Sequence, residues 1–154
     1  MPFKITTIEE ALDYAIQREQ ESADMYLDLA NRVADKSLKT VLIEYAKEEM
    51  GHKKKLQFEK ILLGKSVYEN QTILDFDVEL LDTPTLDKQL KFSLEDLIFL
   101  AVKKENMAFK VYAELAGMIK EKKLQKVLLE LAEEEVRHKI RFEIEYNNIK
   151  NQKH

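Results

Sequence analysis

The chain has 154 residues, 45% hydrophobic and 35% charged, with a formal charge of −4, a length that suits one domain with a continuous core. Three Gly and two Pro leave few chain breaks, so long helices with few turns are expected. The absence of Cys excludes disulfides, cysteine-held iron and thiol nucleophiles, and the dispersed Lys and Arg form neither a nucleic-acid footprint nor a polybasic membrane patch.

In chain order, residues 1–7 lack an apolar signal core and no 18-residue apolar run follows, so a cytoplasmic protein with no membrane partner is expected. Thr7 with Glu10 reads as a capping-box start. Ile8, Leu12, Ala15, Ile16, Ala23, Tyr26, Leu27 and Ala30 then recur at helical spacing. The pattern breaks over residues 31–36, with Asp35 as N-cap of a second helix through Leu38, Val41, Leu42, Tyr45, Met50, Leu56 and Ile61 to Gly64, read as a C′ glycine. Residues 65–92 exceed what a turn between antiparallel neighbours needs, which predicts a crossover that makes the second and third helices parallel. Its apolar residues Ile73, Leu74, Phe76, Val78, Leu80 and Leu81 suggest that it packs on the bundle. Ser93 with Asp96 repeats the capping signal in weaker form, and residues 117–121 mark the turn between the last two helices. The expected fold is all-α, a ferritin-like four-helix bundle with one long crossover.

Shifting the chain on itself by 86 positions aligns residues 7–63 with 93–149 without a gap and with 17 identities. Roughly one pair in ten would match between unrelated helices of this biased composition. The two halves therefore read as duplicated helical hairpins within the single domain 1–154.

Glu49 with His52 and Glu135 with His138 are Glu-x-x-His motifs in repeat register. Three residues apart on a helix share a face, so one carboxylate and one imidazole can reach the same ion. Tyr45 and Leu56, and Leu131 and Phe142, lie on those same faces and turn them inward. Glu19 and Glu105 stand 30 residues before the motif glutamates, on stripes shared with Ala15 and Tyr26, and with Ala101 and Tyr112. Four carboxylates in an apolar core are strongly unfavourable without a counter-charge, and two divalent cations cancel it. Carboxylate and imidazole donors without thiolate suit iron first and manganese second. Glu48, Glu133 and Glu134 have no His three residues on and read as surface charge.

One Glu from each of two helices and Glu-x-x-His from each of the other two is the di-iron carboxylate pattern. On these residues the chain resembles the rubrerythrin branch of the ferritin-like superfamily, in its small form without a rubredoxin domain. The resemblance implies that Glu19 and Glu105 are terminal ligands and Glu49 and Glu135 bridge two irons. It further implies that His52 and His138 each complete one shell and that Tyr26 and Tyr112 hydrogen-bond behind the ligands. Two departures stand out: Ala108 occupies the position of an additional family glutamate, and no Cys is present for a rubredoxin-type iron.

A reduced iron pair delivers two electrons at once, so the leading expectation is reduction of hydrogen peroxide, or of dioxygen, with electrons from a separate rubredoxin-like donor. Ferroxidase or iron handling is the second reading, and a non-catalytic metal-binding bundle the third. An oxygenase would need a pocket for an organic substrate. The family resemblance implies a homodimer.

Overall fold

The computed structural model describes residues 4–65, 76–77 and 93–152. A short strand β1 (Lys4–Ile5) precedes helices α1 (Ile8–Arg32) and α2 (Lys36–Lys65). A second strand β2 (Phe76–Asp77) precedes α3 (Leu94–Met118) and α4 (Lys122–Gln152). The boundaries of α1 and α3 are offset by 86 residues at both ends, as are the starts of α2 and α4.

Local chemistry sets these boundaries. Thr7 accepts the Glu10 N–H at 3.1 Å and opens α1. Asp35 Oδ1 accepts the N–H groups of Ser37 and Leu38 at 2.8 and 3.1 Å and opens α2. The full reciprocal capping box is the one at Ser93 and Asp96, although the sequence marks it as the weaker signal. Asp is short but still spans the distance back to the Ser93 N–H. Glycine does not end the helices. Gly64 lies within α2, and no described glycine has a positive φ, so the expected left-handed cap is absent. Gly117 lies in the last turn of α3. Extended Val33 and Ile119, repeat mates that are both buried, stop α1 and α3 and donate their N–H groups to Leu29 and Leu115.

Two apolar clusters fix the helix directions. The start of α1 (Ile8, Leu12) packs with the end of α3 (Leu115, Ile119), the start of α4 (Leu124, Leu128) and Leu56 late in α2. At the opposite end, Leu29 and Val33 of α1 meet Leu38 and Leu42 of α2, Leu97 and Ile98 of α3, and Phe142 of α4. The helices α2 and α3 therefore run parallel, and the chain must return along the bundle between them. This is the ferritin-like arrangement expected from the long connection. Of that connection, β2 pairs antiparallel with β1, matching Lys4 to Asp77 and Ile5 to Phe76. The expected packing of Ile73, Leu74, Val78, Leu80 and Leu81 lies outside the described residues, as do the side chains of β2.

Each fully buried Leu or Phe in these clusters contributes about 1.5–3 kcal/mol. Leu27 and Ile61, expected inside, are 46% and 54% exposed, because the apolar stripe of each helix is narrower than its set of apolar residues. No described helix is long and apolar enough to cross a membrane.

Candidate metal centre

The two apolar clusters leave a polar layer between them, filled by Glu19, Glu49, His52, Glu105, Glu135 and His138. Each helix reaches this layer at mid-length, where the face that carries leucines above and below turns to carboxylate or imidazole. All six residues are no more than 3% exposed.

The layer has near two-fold symmetry. His52 Nδ1 lies 3.0 Å from Glu135 Oε1, 3.4 Å from Glu19 Oε2 and 4.0 Å from Glu49 Oε1. Its mate His138 Nδ1 lies 3.0 Å from Glu49 Oε1, 3.6 Å from Glu105 Oε1 and 3.9 Å from Glu135 Oε2. The two imidazoles face each other across the layer, with ring centres 6.3 Å apart and planes within 17°. Donor atoms of Glu19, Glu49, His52 and Glu135 all lie within 4.8 Å of one another, as do those of Glu49, Glu105, Glu135 and His138. Glu49 and Glu135 belong to both groups, whereas every other member belongs to one.

Protons alone satisfy this layer poorly. Burial, followed by the charges of Glu135 and Glu19, holds the Glu49 carboxyl well above the usual carboxylate range. Glu135 is raised in the same way, by burial and then by Glu105 and Glu19. Burial pushes Glu105 up to about 8. Glu19 moves the other way: burial opposes its ionisation, but its polar neighbours Glu49, His52 and Tyr112 bring it below its ordinary value. Burial likewise opposes charge on His52, yet the neighbouring carboxylates of Glu135 and Glu19 raise it to about 10. Even so, Glu19 Oε2, Glu49 Oε1 and both Glu105 oxygens are buried without a hydrogen-bond partner. His138 Nδ1 is also unpartnered, since its approach to Glu49 is not aligned for a hydrogen bond. Buried polar atoms left in this state are uncommon, and several converging on one point fit a cation better than a proton network.

The outer edge of each imidazole carries residues that the sequence reading assigned to the surface. Glu134 Oε2 pairs with His52 Nε2, and Glu48 Oε2 with His138 Nε2. Their side chains are 30% and 54% exposed, so each bridges solvent and core. These carboxylates can hold a proton on Nε2, which leaves Nδ1 as the ring atom aimed into the layer. One signal was present in the sequence: Glu48 and Glu134 are themselves identical across the 86-residue offset. Glu133 is exposed, as expected. Tyr45 stacks on His138 with ring centres 4.0 Å apart and steadies the ring.

The two tyrosines diverge. Tyr112 donates its hydroxyl to Glu19 Oε1. Tyr26 makes no corresponding bond: its hydroxyl is buried without a partner, and its ring packs on Phe142 at 5.3 Å and Tyr45 at 6.4 Å. The aromatic contacts hold Tyr26 in the apolar cluster beside the layer. Ala108, where the family pattern has a glutamate, adds no carboxylate, so the layer holds four.

The Rubrerythrin family model matches residues 96–154, which include Glu105, Glu135 and His138. Among solved structures, the chain is similar to a hypothetical protein from Pyrococcus furiosus with 26% identity and a TM-score of 0.75, over 94% of this chain and 90% of that one. It is also similar to a putative ferritin-like diiron-carboxylate protein from Thermotoga maritima with 17% identity and a TM-score of 0.76, over 92% and 95%. No curated protein matches. The family match and the buried Glu and His cluster fit a di-iron protein. Residues 96–154 thus carry the similarity to the Rubrerythrin family, and the chain as a whole has the fold of a ferritin-like four-helix bundle.

Proposed function

We propose that the chain is a di-iron carboxylate oxidoreductase that reduces hydrogen peroxide with electrons from a separate donor, such as a rubredoxin-like protein. The observation that carries this reading is the membership of Glu49 and Glu135 in both four-residue groups, the pattern two bridging carboxylates would have. Glu19 with His52, and Glu105 with His138, would then complete the separate ends. Two divalent ions would balance the four carboxylates, and as ferrous iron they would supply the two electrons that, with two protons, convert one peroxide into two waters. Manganese satisfies the same donor set.

The residues around the centre support such chemistry. Glu134 and Glu48 hold the imidazole Nε2 protons, which keeps Nδ1 available as a ligand atom. The Tyr112 hydroxyl, kept protonated by burial and by the charge of Glu19, is a hydrogen-bond donor that orients the Glu19 carboxylate at the edge of the centre.

The test is anaerobic loading with Fe(II), followed by mixing with peroxide or dioxygen and metal analysis of the same sample. Two irons per chain, oxidised faster by peroxide than by dioxygen and re-reduced by a rubredoxin, is the expected result. Oxidation no faster with peroxide counts against peroxide reduction, and turnover beyond two irons per chain favours a ferroxidase. Bound Fe(II) that no oxidant consumes favours a non-catalytic metal-binding bundle. The outer carboxylates make a separate prediction: Glu134→Gln should weaken metal binding by about 10- to 100-fold, the usual effect of losing a partner behind a metal-bound His. Competition against a chelator measures it, and unchanged affinity would remove Glu134 from this role.

A further inference from the structure

The metal layer is closed on most sides. Apolar clusters cap it at both ends, and the outer edges of His52 and His138 are covered by Glu134 and Glu48. The helices α1 and α3 pack less closely on each other than the two helices of either hairpin do. There a narrow cleft, with a cavity volume of about 20 Å³, reaches down to Glu19 and Tyr112, the hydrogen-bonded pair at the edge of the layer. Small side chains create it: Ala15 and Ser22 come from α1 and Ala108 from α3. Ser22 and Ala108 are repeat mates, so the same register on both helices is kept free of bulk.

We infer that this cleft is the port through which a small uncharged molecule reaches the Glu19 side of the metal layer, with Ala108 setting the size that can pass. The inference rests on the reading of the layer as a metal centre and names the route and class of its substrate. Ala15, Met107, Ala108 and Val111 give the cleft an apolar wall, so an ion would have to shed its hydration to pass. The cations beside it, Arg18 and Lys104, share the single carboxylate of Glu21, at 2.7 and 4.0 Å, and the positive charge left over repels a metal cation. A peroxide- or dioxygen-sized molecule meets neither obstacle. A larger organic substrate meets the narrowness of the cleft between the two helices.

The experiment has one readout that needs metal and one that does not. With Fe(II)-loaded protein, nitric oxide serves as a small uncharged probe whose association is followed by absorbance. Ala108→Leu should slow that association by about tenfold or more, a barrier increase of about 1.4 kcal/mol, while still binding two irons. Metal-free crystals pressurised with xenon should show xenon in the cleft of the wild type and none in Ala108→Leu, because small apolar cavities take up xenon. Ala108→Val adds less bulk and should give an intermediate rate, which keeps the series readable if the leucine variant fails to fold. Wild-type iron stoichiometry with an unchanged nitric oxide rate in both variants overturns the port and leaves the metal centre standing. A wild-type protein that binds no iron overturns the reading of the centre on which the port depends.

Discussion

Glu49→Gln and Glu135→Gln should each abolish binding of both metal ions, whereas Glu19→Gln and Glu105→Gln should each weaken one ion and spare the other. The difference follows from geometry. Glu49 and Glu135 contribute to both clusters of four donors, while Glu19 serves only the His52 cluster and Glu105 only the His138 cluster. Glutamine keeps the volume of the side chain, so the loss reports ligand charge rather than a cavity. The loss should exceed the about 10- to 100-fold that removal of an outer partner costs, because here a ligand atom itself is lost. Metal analysis after equilibrium dialysis, with Co(II) titration to resolve the two ions, distinguishes the classes. If Glu49→Gln lost one ion and kept the other as Glu105→Gln does, the bridging assignment would fail.

The metal-free protein should lose stability as pH rises from about 5 to about 9, and metal should remove most of that dependence. Glu105 holds its proton up to about 8 in the folded state, against 4.5 as its ordinary value. Between those values the folded chain binds a proton that the unfolded chain has released, so stability falls as pH rises. His52 acts in the same direction. Its folded value of about 10 against 6.5 gives stability that is fully present below pH 6.5 and lost as pH rises through 10. The raised carboxyls of Glu49 and Glu135 add to the loss. The lowered Glu19 opposes it only near and below its ordinary value of 4.5, outside this window. Together the shifts amount to several kcal/mol on an order-of-magnitude basis, or roughly 10 °C or more in melting temperature for a chain of this size. Thermal melts of chelator-treated protein across this pH range measure it, and Glu105→Gln should flatten the curve. A metal-free protein that becomes more stable between pH 5 and 8 would contradict the electrostatics described for the layer.

The outer carboxylates and the two tyrosines show where sequence reasoning stops. Glu48 and Glu134 directly precede the motif glutamates, about 100° around the helix from the inward face, which is why they read as surface charge. Their partners are imidazoles on the other motif-bearing helix, 90 and 82 residues away, and spacing within one helix cannot reveal such a pairing. Tyr26 and Tyr112 occupy identical repeat positions, yet only Tyr112 bonds a carboxylate, because the aromatic neighbours Tyr45 and Phe142 hold Tyr26 in the apolar cluster. Lys104, one residue before Glu105, is buried against the α1–α3 cleft although nothing in its spacing marks it as internal.

The sequence by itself determined the four helices, their pairing as two related hairpins, the parallel course of α2 and α3, and the six residues that meet between the apolar clusters. These features are periodic: helical spacing and the 86-residue offset write them along the chain, where they can be read without coordinates. Tertiary structure alone decided which carboxylates hold the imidazoles from outside, which tyrosine engages a ligand, and where the bundle stays open. Each of these depends on distances between different helices, which packing of the whole bundle sets and no single helix encodes.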